Sequence, residues 1–172
     1  PDDPESWLRQ MAALLPRIHE LTIQAHPYER WFEASQLAPP PKTQNASAWR
    51  RAIDLVSSPP PAHKPCFIHR DYQHFNMLWS RGRLTGIVDW CFASNGPPDV
   101  DVAHCRLNLA VLFSASWAER FRLPYEAEAG RATDPWWDVS GLMSYSQGWK
   151  EFIPFQVGRR MQVDIAGMDS RM

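Results

Sequence analysis

Glycine is missing ahead of Gly82, although the chain holds eight of them. A loop that wraps phosphates needs glycine, because only a residue without Cβ lets the backbone approach that closely and take positive φ. The segment before Gly82 therefore carries no such loop. Lysine is scarce there too: Lys42 and Lys64 alone precede residue 66, both in proline-rich stretches rather than in a strand. Cysteine is limited to Cys66, Cys91 and Cys105, an odd number without paired spacing. That excludes a disulfide framework and predicts buried, apolar thiols in a reducing, cytoplasmic compartment. Charge of one sign is lacking as well. A net charge of -1 provides no basic field for nucleic acid and no acidic solvating tail. No apolar run approaches the roughly 18 residues that cross a bilayer. The opening Pro-Asp-Asp-Pro-Glu has no positive signal-peptide region. It has no initiator Met either, so a longer parent chain is expected.

What is present fits one soluble domain or one large lobe. Of the 172 residues, 44% are hydrophobic and 22% charged, enough to bury a core. Trp7, Met11, Leu14, Leu15, Ile18 and Leu21 recur at helical steps and predict a helix over 5–26, with Pro16 as a kink or a second start. A short helical turn is expected within 31–37. A second helix is expected over 47–56, capped by Ser47, between proline-rich loops at 38–46 and 57–64. Cys66-Phe67-Ile68 reads as a short buried strand. Met77-Leu78-Trp79 and Leu84 to Val88 flank the turn-rich Ser80-Arg81-Gly82-Arg83 and predict a hairpin. A loop at 94–98 then leads to a helix from an Asp99 cap to about Phe113, followed by helices near 115–129, 136–149 and 156–165. The fold class is α+β, mostly helical, with a small β insert.

The chemistry concentrates between His69 and Asp89. His69-Arg70-Asp71-Tyr72-Gln73-His74-Phe75-Asn76 is an H-R-D-x-x-x-x-N pattern, and the hairpin delivers Gly86-Ile87-Val88-Asp89-Trp90 after it. Phosphoryl transfer to a hydroxyl needs a group oriented on that hydroxyl, cations on the phosphates, and hard oxygen ligands for the cations. Asp71 suits the first role, and Asn76 and Asp89 suit the last. Asp and Asn also favour turns, so each alone reads as a turn residue. The joint spacing matches a known kinase signature.

With Asn76-Met77-Leu78-Trp79 and Gly96-Pro97-Pro98-Asp99-Val100-Asp101-Val102-Ala103, these motifs resemble the aminoglycoside phosphotransferase/choline kinase-like family. Asp89-Trp90, where protein kinases have Asp-Phe-Gly, points to that branch. Leu15 to Leu21, and Tyr125-Glu126-Ala127 with Gly130-Arg131, resemble it more loosely. The resemblance implies a protein-kinase-like C-lobe over 1–172, with a catalytic loop and metal hairpin at 66–90 and a helical acceptor-side region at 99–172. It implies Asp71 as the catalytic aspartate, Asn76 and Asp89 as Mg²⁺ ligands, and ATP or GTP as phosphate donor to a small hydroxylated acceptor. His69 and Asp101 would brace the catalytic loop. Arg70 is left between an anion contact and a surface ion pair. The chain departs from the family at Gln73-His74-Phe75, where many members have His-Pro-Gly.

The N-terminal lobe of such a kinase, with its phosphate loop and strand lysine, has no counterpart upstream of residue 66. It is expected from a longer chain, and weak nucleotide binding with slow or no turnover is expected without it. A non-catalytic remnant is the alternative within the same fold. A metal-dependent hydrolase using His69, Asp71 and His74 is an alternative of another class, although it leaves Asn76 and Asp89 without a role. Trp90, Trp136 and Trp137 read as core. Glu126, Glu128, Asp134 and Asp138 are acids available to a cationic acceptor.

Overall fold

The computed structural model describes residues 3–41, 43–144, 149–157 and 167–171. Helix α1 spans Pro4–His19, begins with Asp3 accepting from the Ser6 amide, and buries Trp7, Leu8, Met11, Ala12, Leu15 and Ile18. Pro16 sits inside this helix without ending it. The helix stops seven residues short of the expected end at 26, since the predicted 5–26 runs on past His19. Thr22 and Ile23 are β-branched, and Pro27 drives His26 out of the helical region. The freed segment runs extended beside a later strand: the Tyr28 amide donates to Asn95 O at 2.8 Å, and the Asn95 amide donates to His26 O at 2.8 Å. A single 3-10 turn, Ala34–Gln36, falls inside the expected 31–37 stretch. Helix α2, Ala46–Ser57, starts ahead of Ser47, and Asn45 rather than Ser47 holds its cap position.

Four short strands follow: β1 Cys66–Ile68, β2 Met77–Ser80, β3 Arg83–Ile87 and β4 Ser94–Gly96. The hairpin of β2 and β3 forms as expected, with Arg81 and Gly82 both at positive φ, the pairing that matches strand twist in a two-residue turn. Gln10 of α1 clasps its tip, donating to Gly82 O at 3.0 Å and accepting from the Leu84 amide at 2.9 Å. The stretch expected as a loop at 94–98 is in part strand. β4 pairs antiparallel with β1, Cys66 facing Gly96. Gly96 is required there, because a Cβ would lie 2.4 Å from Cβ of Tyr28.

The described residues that follow are mostly helical: α3 Asp99–Leu112, α4 Ala115–Ala129, α5 Pro135–Met143, α6 Trp149–Val157 and α7 Met168–Arg171. The helix expected over 156–165 falls mostly outside the described residues. α3 is the central element, buried on nearly every side, and packs on α4 and α5. Asp99 is not its cap. It is the first helical residue, after Pro98, and its carboxylate takes Arg131 at 2.5 Å and the Asp134 amide at 3.0 Å. α1, α3, α4 and the hairpin share one core. Trp136 and Trp137 are buried in a second core with Trp49 and Val56. The fold is mostly helical α+β with two small antiparallel pairs. Among the described residues no helix is long and apolar enough to cross a membrane.

Candidate active site

β1 delivers the chain to a tight loop that α3 holds from below. Asp101, fully buried, accepts from the His69 amide at 2.9 Å and the Arg70 amide at 2.6 Å. His19 of α1 sits against the same carboxylate at 3.1 Å. A carboxylate taking two backbone N–H groups and an imidazole is satisfied despite burial. Arg70 needs this grip, because it stands at φ 70°, a region that side chains other than glycine avoid.

The Arg70 guanidinium is not at the surface. It is buried between the rings of Tyr28 and Trp31, 4.8 and 4.5 Å from their centroids, and donates to Glu29 O at 2.7 Å. Two aromatic faces around one cation stabilise it by their quadrupoles. The side chain thus fastens the loop to the extended segment after α1.

His69 spends both ring nitrogens inside the protein. Its Nδ1 accepts from the Asp71 amide at 3.2 Å, so Nε2 carries the proton and donates to Val88 O at 3.0 Å. Burial holds its pKa below the usual histidine value, with Asp101 and Val88 O opposing. The neutral ring ties the loop to the end of β3. A second tie runs from the Val88 amide to Asn76 O at 3.0 Å. Asp89 is the next residue along the chain from this backbone contact.

Asp71 is half-buried and densely held. Its Oδ1 receives Gln73 Nε2 at 2.6 Å and lies 2.8 Å from His104 Nε2, and its Oδ2 receives Asn76 Nδ2 at 2.8 Å. Burial pushes its pKa up, but the hydrogen bonds from His104, Asn76 and Gln73 together with the His104 charge leave it below the ordinary carboxylate value. Asp71 is therefore ionised at neutral pH and able to accept a proton. Asn76 Nδ2 also donates to Asp71 O at 2.8 Å, so the amide nitrogen is fully engaged and Oδ1 is the atom left for a cation. Asp89 is exposed at φ 66°, and its Oδ1 accepts from Cys91 Sγ at 3.0 Å. An amide oxygen and an exposed carboxylate are the hard donors that Mg²⁺ takes alongside phosphate and water oxygens.

Other sequence expectations are corrected here. Trp90 is not core: it is exposed, stacked on Phe67 at 5.7 Å and 4.3 Å from the His69 ring. Of the three thiols only Cys105 is fully buried; Cys66 is half-buried and Cys91 exposed. Burial and nearby Asp101 push the Cys66 thiol up to about 12, which leaves it unreactive. His74 points away from Asp71, into Trp7, Phe75 and Phe113. With His69 fully engaged and His74 turned aside, the three hydrolase ligands do not converge. Among the described residues no group of three or more His, Cys, Asp or Glu side chains is placed to hold a metal.

The acids nominated for a cationic acceptor are mostly committed elsewhere. Glu126 accepts from Arg122 and from the Thr133 amide and hydroxyl, which outweigh burial and hold it at about 2. Asp134 caps α5 by accepting from the Trp136 amide, and Asp138 pairs with Arg106. A cavity of about 240 Å³ between α3, α4 and α5 takes in Ala103, Arg106, Leu107 and Ala110. Those residues lie on the side of α3 opposite Asp101 and His104, so the cavity is separated from Asp71 by the helix itself.

His104 is the residue that sequence reasoning missed. Its signal was available: Asp101, His104, Cys105 and Asn108 recur at three- and four-residue steps, a buried stripe in which polar side chains stand where apolar ones belong.

Known proteins resemble this chain. A model of the "Phosphotransferase enzyme family" (APH) matches residues 1–139. N-acetylmuramate/N-acetylglucosamine kinase of Neisseria meningitidis serogroup B (strain ATCC BAA-335 / MC58) is 26% identical over 96 residues, 56% of this chain and 27% of that protein. Among solved structures, macrolide 2'-phosphotransferase type I aligns with a TM-score of 0.59 at 20% identity, over 92% of this chain and 56% of that one. APH(2")-IIa in ternary complex with streptomycin and ATP aligns with a TM-score of 0.51 at 15% identity, over 92% of this chain and 58% of that one. At these identities the structural likeness is one of fold. The chain spans a little over half the length of these structures and about a quarter of the curated relative.

Proposed function

Since the chain belongs to the phosphotransferase enzyme family, we propose that it is the catalytic lobe of a kinase that moves the γ-phosphate of ATP or GTP to a hydroxyl of a small molecule. The observation that carries this reading is the Asp71–Asn76 pair, joined at 2.8 Å, with the Val88 amide, one residue before Asp89, bound to Asn76 O. The ternary complex of a structural relative with streptomycin and ATP supports a nucleotide donor and a hydroxyl-rich acceptor.

In this reading Asp71 orients the acceptor hydroxyl and takes its proton. The acceptor oxygen bonds to the γ-phosphorus as the bond to the β–γ bridging oxygen breaks, and the nucleoside diphosphate leaves. Asn76 Oδ1 and the Asp89 carboxylate would hold Mg²⁺, whose chemistry is to neutralise phosphate charge. Asp101 and His69 fix the loop on which Asp71 stands. In this reading the phosphate-gripping elements would come from a further lobe, without which nucleotide binding would be weak.

The test is γ-phosphate transfer by the native protein across a panel of sugars, aminoglycosides, macrolides and amino alcohols. Asp71→Asn should lower kcat about 10³-fold, within the range for loss of a positioned base, with nucleotide affinity little changed. No transfer to any acceptor would replace this reading with that of a non-catalytic remnant, and transfer indifferent to Asp71→Asn would take the catalytic role away from Asp71.

A further inference from the structure

One turn of α3 reaches the catalytic loop twice. Asp101 holds its backbone, and three residues later His104 holds its carboxylate, Nε2 lying 2.8 Å from Asp71 Oδ1. Residues at i and i+3 share a helix face about 4.5 Å apart along the axis, so both contacts come from one rigid element. His104 is itself 7% exposed, and Asn108 Nδ2 donates to its carbonyl at 3.0 Å. The two oxygens of Asp71 are unequally occupied. Oδ1 faces Gln73 and His104, whereas Oδ2 receives Asn76 alone. A carboxylate oxygen offers about two lone-pair positions. Gln73 takes one on Oδ1 and the His104 ring, in contact at 2.8 Å, covers the other side, whereas Oδ2 keeps one open.

We propose that His104 is a positioning residue for phosphoryl transfer: in contact with Asp71 Oδ1 beside Gln73, it closes that oxygen and so directs the acceptor hydroxyl, and its proton, to Oδ2. This rests on the kinase reading above. For His104 to donate to Oδ1, its Nε2 must carry the proton. Removing it leaves Asp71 chemically intact and costs orientation, which appears in kcat and not in nucleotide binding. Glutamine can place an amide N–H near the position of Nε2, whereas alanine and leucine cannot.

The experiment compares His104→Ala, His104→Leu and His104→Gln with Asp71→Asn in the native protein, by steady-state kinetics and by ¹⁵N spectra of the histidine rings. His104→Ala and His104→Leu should lower kcat 10- to 100-fold with the KM for nucleotide within twofold, and His104→Gln should recover most of the loss. The ring of His104 in the parent protein should carry a proton on Nε2. Unchanged kcat in both apolar variants, a loss that glutamine does not rescue, a fall that tracks lower melting temperature, or an Nδ1–H tautomer would each overturn the proposal. The kinase reading fails separately, through no transfer to any acceptor, and the role of Asp71 through an indifferent Asp71→Asn. If no turnover is found with any acceptor, the tautomer still decides whether His104 donates to Asp71.

Discussion

Asp71 and Asp89 are the same side chain in opposite surroundings. Asp71 is half-buried, with His104, Gln73 and Asn76 on its two oxygens. Asp89 is exposed, takes a hydrogen bond from the thiol of Cys91, and stands next to exposed Trp90 and Phe92. The first is a finished environment, fixed by the fold before any ligand arrives. The second is anchored through its neighbour, by the Val88 contacts to His69 and Asn76, with the Cys91 thiol on its side chain. A group that must orient a proton transfer benefits from being pre-set, whereas a cation ligand can complete its surroundings when cation and phosphate bind.

The contrast can be broken most forcefully from beneath Asp71. Asp101→Ala strands two buried amides and the His19 ring, and unfolding in urea should show a loss of about 3–5 kcal/mol. Asp101→Asn keeps one acceptor and should lose less. Equal, small losses in both variants would mean that the loop is held by something other than Asp101.

Acid attacks the same loop by another route. Burial lowers the His74 pKa to about 4, well below its unfolded value. A base whose folded pKa is depressed makes the unfolded chain bind protons first as pH falls. Stability should therefore drop as pH goes below about 6.5 and level off near 4, a loss of about 3 kcal/mol from this residue. His74→Phe should flatten that part of the stability profile measured by urea melts at successive pH values. A slope unchanged by the substitution would assign the acid sensitivity elsewhere.

The smallest stability effect belongs to Asp89. Asp89→Asn should leave the urea midpoint unchanged, because the side chain is exposed, yet weaken Mg²⁺ binding by the native protein in the presence of ATP. A shifted midpoint would show that Asp89 supports the fold and would erase the contrast with Asp71.

The sequence was most legible where spacing and chemistry agreed. The H-R-D-x-x-x-x-N pattern foretold the contact of Asp71 with Asn76, the hairpin formed where expected, and α4 was readable to its last residue. Legibility failed where distant segments decide the outcome. The segment after His19 carries apolar residues at helical steps, but it is extended because Pro27 blocks a helix and Asn95 offers a paired edge. Ser94–Gly96 reads locally as a turn and becomes strand only against β1. Arg70 looked like a surface charge because Tyr28 and Trp31, which enclose it, lie some forty positions away. His104 passed unnoticed because its partner Asp71 belongs to a distant segment, although the polar stripe on α3 marks the face on which it stands.

The reach of Asp101 has a kinetic consequence. Its partners lie 31 to 82 positions away along the chain, at Arg70, His69 and His19. Contacts so far apart in sequence form only after large loops have closed, which is the slow part of folding. The catalytic loop therefore acquires its shape with α1 and α3 together and not before. No partly assembled form of the chain carries a usable Asp71, and exchange of the His69 and Arg70 amides with solvent is tied to opening of the whole core.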